Sequence, residues 1–247
     1  MRCVPEPAAD VPVVRCTVWL ADTRQARPGH AALLDDRERG RRAALRHPVD
    51  RARFTLAAAL LRLAVAGAVG GSPAAVRVER SCPDCGAPHG RPRLPGTGLH
   101  ASVSHSAGRV AVALSAAAPV GVDVERVRPG PEVAALTRTV LAAGEPLGAP
   151  AELFTYWCRK EAVVKATGDG LQARLAEVVV GPAREPARLV SYRGAPLAAA
   201  LADLPAGPGY AAAVAVLAGG RPEVRMADPG ELLGTGPVGP EFAARRA

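Results

Sequence analysis

The chain contains no isoleucine and no asparagine, and only two of its 31 cationic side chains are lysine. Such a bias marks GC-rich coding, in which arginine is the default wherever any cation serves. Aromatic residues make up 3%. The core must therefore be built from Ala, Val and Leu, and few rings are left on which nucleobases could stack. No uninterrupted apolar run is long enough to cross a membrane, and the N-terminus has acids and prolines where a secretion signal would be basic and then apolar. A cytoplasmic protein without a membrane partner is expected. No GxxxxGK[ST] loop occurs, which excludes a P-loop nucleotidase. The five cysteines are an odd count in a chain without a secretion signal, so free thiols are expected.

What is present bounds the answer further. A chain of 247 residues with 49% hydrophobic content can bury a full core, as one large domain or two lobes. A formal charge of +8 points to anionic partners: nucleic acid, a phosphorylated cofactor or an acidic protein.

The pattern predicts a flexible start over residues 1–10, then a strand from Val11 to Leu20. A basic helix follows from about Ala31 to Arg46. A core helix runs from an N-cap at Asp50 to Val69, closed by Gly70-Gly71. Arg53 and Arg62 lie nine residues apart on it, on opposite sides, so only one can share a site with the basic helix. Val76–Arg80 reads as a short strand. Ala101–His105 and Val110–Leu114 form a hairpin, and later strands are expected at 177–180, 189–192, 197–201 and 210–217. The apolar stretch entered from Pro208-Gly209 echoes the one after Ala107-Gly108, which suggests two similar lobes, 11–118 and 119–218. Residues 219–247, with repeated Gly and Pro, are expected to be a poorly packed tail.

Candidate chemistry gathers at three places. Residues 151–167 lack Gly and Pro, so Trp157, Glu161 and Lys165 share one stripe of a helix at i, i+4, i+8. The two lysines, Lys160 and Lys165, sit around Glu161, and a compact ammonium binds phosphate as a point charge. In Val120–Val127, Val alternates with Asp123 and Glu125, which project from the same strand face. Two like charges there ask for a cation between them, and a hard Mg²⁺ suits, since it accepts a few carboxylates and keeps positions for water and phosphate oxygen. Ser104 and His105 are adjacent in a strand and point to opposite faces, so a ligand contact fits them better than a nucleophile and base pair. Cys82-x-x-Cys85 with His89 and His100 nearby offers a local zinc staple.

These residues carry a resemblance. Gly121-Val-Asp123-Val-Glu125, Trp157-Cys-Arg-Lys160-Glu161-Ala-Val-Val-Lys165 and Thr167-Gly-Asp-Gly-Leu171 occur together. With them come Gly90-Arg91-Pro92, Ser102-Val-Ser104-His105-Ser106 and the Pro208-Gly-Tyr210 strand, all in order along the chain. The sequence resembles the Sfp-type 4'-phosphopantetheinyl transferases. The resemblance implies an α/β (α+β) fold of two lobes related by a pseudo-twofold axis, with the site between them. It implies transfer of the phosphopantetheine arm of coenzyme A to a serine of an apo acyl or peptidyl carrier protein of polyketide, nonribosomal-peptide or fatty-acid synthesis, releasing adenosine 3',5'-bisphosphate. By the same resemblance Asp123, Glu125 and Glu161 hold Mg²⁺, for which Mn²⁺ can substitute. Glu161 takes the serine proton and Lys165 stabilises the leaving phosphate. Ser104, His105, Arg91, Lys160 and Lys165 would contact coenzyme A, together with Arg53, Arg39 and Arg42 of the basic helices. Two lobes in one chain would complete the site, so a monomer is expected, with no nucleic-acid partner. The alternatives are a zinc-stapled basic module binding nucleic acid and another Mg²⁺-dependent phosphate-transfer enzyme.

Overall fold

A computed structural model of the chain describes residues 12–234 apart from 83, 84, 88, 89, 129 and 132. The chain opens with β1 (Val13–Asp22), whose alternate residues Val14, Cys16 and Val18 are buried, as a pleated strand with one face on a core requires. Helix α1 (Asp36–Ala44) is capped by Asp35, whose Oδ1 accepts the Glu38 N–H at 2.8 Å. Helix α2 (Pro48–Val69) begins on a proline that needs no hydrogen-bond partner and stops at Gly70, with φ 76°. Its length and apolarity would suit a membrane span, yet most of it is buried inside the protein. Strands β2 (His100–Ser106) and β3 (Arg109–Ser115) form a hairpin around Ala107 and Gly108.

The second half repeats the scheme. β4 (Val120–Arg126) leads to α3 (Val133–Val140) and α4 (Glu152–Thr167), then to β5 (Val178–Val180), β6 (Leu189–Tyr192), β7 (Ala200–Asp203) and β8 (Tyr210–Val216). β9 (Arg221–Ala227) and α5 (Pro229–Leu233) follow. The strand orders are β2-β3-β1-β9 and β4-β8-β7, with β5-β6 as a separate pair. β3 and β8 thus hold equivalent middle places. Each runs antiparallel to the strand that opens its half and to the strand just before it in sequence. The sequence echo between these two strands has this structural basis.

Alternation along the strands sorts residues into three cores. Val110, Val112 and Leu114 of β3 pack with Leu56, Leu60 and Leu61 of α2. The opposite faces of the two sheets meet through Val14, Val18, Ala111 and Ala113 against Val122, Val124, Val214 and Val216. Ala213 and Ala215 face Leu153, Ala162 and Val163 of α4. The result is helix, sheet, sheet, helix, and the scarcity of rings is met by small side chains that let the layers approach closely.

Two expectations fail. Residues from 219 onward are not all a loose tail: β9 pairs in parallel with β1 from Val13↔Arg221 to Trp19↔Ala227, and Leu233 of α5 is buried in the first core. Pro222 disguised this strand. It is tolerated because β9 lies at the edge of its sheet, where a missing N–H leaves no ladder bond unmade. Val76–Arg80 is no strand; Glu79 and Arg93 make an isolated bridge, and the Val76 carbonyl is drawn to Arg62. The expected start at 1–10 and the chain beyond 234 lie outside the described residues.

One contact governs the second half. A Cβ on Gly121 would lie 1.9 Å from the carbonyl oxygen of Ala162 and 2.5 Å from the amide nitrogen of Ala166, both backbone atoms of α4. No side chain fits between β4 and α4 here. Gly121→Ala should lower the unfolding free energy by about 1–3 kcal/mol or more, as overpacking does, read from urea unfolding. Gly40→Ala, inside α1 where a Cβ meets nothing within 4 Å, is the contrasting control and should raise stability by about 0.5–1 kcal/mol, as alanine does for glycine in a helix.

Candidate active site

Helix α4 presents different chemistry on different sides. Arg159 and Lys160 are fully buried. The Arg159 guanidinium forks onto Asp203 at 2.9 and 2.6 Å and donates to the carbonyls of Gly181, Pro182, Ala183 and Glu185. Lys160 Nζ lies 2.5 Å from Glu145 Oε2 and 2.7 Å from the Val140 carbonyl. These buried cations fasten the helix to α3, β7 and the segment after β5. The expected cofactor contact at Lys160 is thereby corrected. A step of one residue turns it about 100° from Glu161, into the protein.

The opposite stripe faces a cleft. Trp157, Glu161 and Lys165 line a cavity of about 460 Å³ together with Ser104, His105, Asp123 and Glu125. Lys165 Nζ is 2.5 Å from Asp123 Oδ1 and 2.9 Å from Ser104 Oγ. Ser104 Oγ donates to the same Asp123 oxygen at 2.7 Å, while Ser106 Oγ donates to Glu125 Oε2 at 2.7 Å. Asp123 is 3% exposed, and its Oδ2 is buried without a hydrogen-bond partner. An orphaned carboxylate oxygen in a buried site is a standing demand for a cation or donor.

The electrostatics follow from crowding. Burial raises the Glu161 pKa, Lys165 opposes it, and Asp123 and Glu125 add to it. Burial likewise raises Glu125, with Asp123 adding and Ser106 opposing. Both carboxyls hold their protons to higher pH than a free glutamate. His105 keeps an exposed edge at the cavity, and its pKa is lowered by desolvation first, then by Arg53, Lys165 and Arg41. Beneath the site the buried Cys158 thiol donates to the Ala211 carbonyl, and desolvation plus the nearby Asp123 and Glu125 push its pKa well up. It is no nucleophile.

The arginines fall differently from expectation. Arg37 and Arg41, four residues apart on α1, line the cavity with Arg80, Asp35, Glu38 and Phe54. Arg41 lies over the Phe54 ring, 5.5 Å from its centre. Arg39 turns back to the Leu34 carbonyl and Asp36, and Arg42 Nε donates to Thr55 Oγ1 at 2.9 Å; neither lines the cavity. Arg53 pairs with Asp50 at 3.2 Å and flanks His105 without lining the cavity. From α2, Arg62 pairs with the start of α1, fully buried against Asp35 and Glu38 at 2.7 and 2.8 Å. Arg91 donates to the Ala166 carbonyl at 2.7 Å, capping the end of α4. Sequence reasoning missed Arg37, Arg41 and Arg80. The i,i+4 spacing of the first two was the available signal.

Among the described residues no group of three or more His, Cys, Asp or Glu side chains is arranged to hold a metal ion, either in the cleft or at Cys82 and Cys85. His89, expected in the zinc staple, lies outside the described residues.

A two-sheet α/β fold with carboxylates, lysine and arginines in one cleft defines a class: the chain belongs to the 4'-phosphopantetheinyl transferase superfamily, whose sequence profile matches residues 119–215. The 4'-phosphopantetheinyl transferase HetI of Nostoc sp. is 32% identical over 168 residues, 64% of this chain and 70% of HetI. The Synechocystis sp. protein slr0495, whose name carries the same activity as a provisional assignment, is 28% identical over 174 residues, 66% of this chain and 68% of its own.

The raised carboxyl pKa values have a consequence for stability. A glutamate that binds its proton more tightly in the folded than in the unfolded chain removes stability as pH rises from its ordinary value of 4.5 through the raised folded value. In EDTA, Glu161→Gln should therefore unfold at higher urea than the wild type at pH 7.5, with the advantage fading by pH 4. Parallel midpoints across that range would contradict the electrostatic account.

Proposed function

We propose that this enzyme transfers the 4'-phosphopantetheine arm of coenzyme A to a serine hydroxyl of an apo acyl or peptidyl carrier protein, releasing adenosine 3',5'-bisphosphate. The observation that carries the reading is the convergence of Asp123, Glu125, Glu161 and Lys165 in one cavity with Arg37, Arg41 and Arg80. A polyanionic ligand with an apolar base suits that layout. Its phosphates meet the cations, and Phe54, Ala57, Ala58 and Val78 give it an apolar wall. Membership in the superfamily supports the reaction.

The three carboxylates and the orphaned Asp123 Oδ2 fit a hard divalent cation such as Mg²⁺, which needs few protein ligands and keeps several waters. When bound, Mg²⁺ neutralises charge on the pyrophosphate of coenzyme A. The protein's own groups do the rest. Glu161, which lines the cavity beside Lys165, takes the proton from the carrier serine, whose oxygen then forms its bond to the phosphorus bearing the pantetheine arm. The bond from that phosphorus to the bridging oxygen breaks, and adenosine 3',5'-bisphosphate leaves. Lys165, with 29% of its side chain exposed and its ammonium held by Asp123 and Ser104, lies ready to balance the negative charge on the leaving oxygen. His105 faces the cavity as a hydrogen-bond partner for the cofactor.

The decisive experiment mixes protein, coenzyme A, Mg²⁺ and an apo carrier, and follows the carrier by intact mass. The holo mass should appear. Glu161→Gln should slow transfer by about 10²–10⁴-fold, the usual contribution of a general base, and Lys165→Met by about 10²–10³-fold, as for loss of a positioned charge. Several apo carriers left at starting mass beside an active control would reject the reading, and a fully active Glu161→Gln would reject the residue assignment.

A further inference from the structure

Among the strands of the described residues, β2 pairs along its length with β3 and β4 with β8, yet β2 and β4 lie side by side across the junction of the sheets. The junction is made by hydroxyls. Ser102, Ser104 and Ser106, two apart and so on one face of β2, accept the N–H groups of Val122, Val124 and Arg126 at 3.0, 3.4 and 3.1 Å. Side chains here take the place of the carbonyls that a neighbouring strand would offer.

A serine hydroxyl that accepts an N–H still has one proton to donate. At two rungs that proton goes to the carboxylate one residue earlier on β4: Ser104 to Asp123 and Ser106 to Glu125, both at 2.7 Å. At the third rung the equivalent position is Gly121, kept without a side chain by the close approach of α4. The same motif therefore repeats three times, twice with a carboxylate and once without. Ser104 is fully used, since it also accepts from Lys165 at 2.9 Å.

We infer that Ser106 is a positioning residue, which holds Glu125 in the orientation needed to bind the divalent cation and couples that orientation to the junction of the two sheets. The inference rests on the metal-binding reading above. Glu125 and Asp123 repel one another, and a free glutamate would swing away from its neighbour toward solvent. A hydroxyl fixed at its other side by a backbone N–H denies it that escape before any cation arrives. Groups that hydrogen-bond to a metal ligand commonly set its affinity by this means.

The test uses full-length protein and MgCl₂ alone, without coenzyme A, and reads the Mg²⁺ concentration giving half of the maximal thermal stabilisation. Ser106→Ala should raise that concentration roughly tenfold or more, and Ser106→Thr, which keeps the hydroxyl, should restore it. Ser102→Ala is the matched control: it loses the same rung but no carboxylate contact, so its melting temperature falls while its Mg²⁺ midpoint stays at the wild-type value. If Ser106→Ala does not fold, Ser106→Cys, a weak donor, gives the same comparison. A wild-type Mg²⁺ midpoint in the Ser106 variants, with Glu125→Gln clearly weakened, overturns the inference and leaves the metal reading standing. Wild-type midpoints in Glu125→Gln and Asp123→Asn as well would remove both.

Discussion

The close approach of α4 to β4 is the constraint on which the rest depends. With no side chain at position 121, the helix backbone rests on the strand, and the next residues on the same strand face, Asp123 and Glu125, come under Glu161 and Lys165. A larger spacing would leave the carboxylates in a wide, wet groove, where their charges would be screened and the burial that raises the Glu125 pKa would be lost. The approach needs a helix that cannot drift outward. Arg159 and Lys160 supply that hold from the far side, each wholly buried and each given several oxygen partners. Removing one partner of such a pair is costly, on the order of 3–5 kcal/mol, which makes these cations an anchor rather than a reaction group.

The cleft therefore combines two opposed requirements. Asp123, Glu125 and Glu161 crowd around Lys165 in the cavity, and burial with mutual repulsion raises the pKa of Glu125 and Glu161, which destabilises the folded chain at neutral pH. The arrangement also leaves Asp123 Oδ2 unsatisfied. The compensation lies in the surrounding hydrophobic layers, where alternation on β4 sends Val120, Val122 and Val124 into the shared core while the intervening positions face the helix. One seven-residue strand is at once the centre of the packing and the floor of the site.

Much of this was legible in the sequence, for identifiable reasons. Strand alternation in Val120–Arg126 fixed which face carried Asp123 and Glu125, and a stretch free of Gly and Pro placed Glu161 and Lys165 on one stripe. What failed were facts of tertiary surroundings. Lys160 and Lys165 are alike as letters, but one meets Glu145 in the interior and the other Asp123 in the cleft. Arg39 and Arg42 differ from Arg37 and Arg41 only in their angle on α1, and the sequence alone does not say which side of that helix meets the cavity. Arg80 belongs to the site because the chain returns past α1 and α2, a proximity that no local pattern announces.

The pairing of β9 with β1 bears on how the chain reaches its fold. Strand β1, the first among the described residues, lies between β3 and β9, and the partner on one side is made some two hundred residues later. His30 adds to this late closure, its ring nitrogen hydrogen-bonded at 3.1 Å to the Leu233 carbonyl. During synthesis the N-terminal half can collapse on α2, but one flank of β1 stays open until the ribosome has released residues 221–227. Contacts so distant in sequence slow folding and prolong the exposure of an unpaired strand edge. Until β9 arrives, that flank of β1 offers unpaired N–H and C=O groups on which another nascent chain could add a strand.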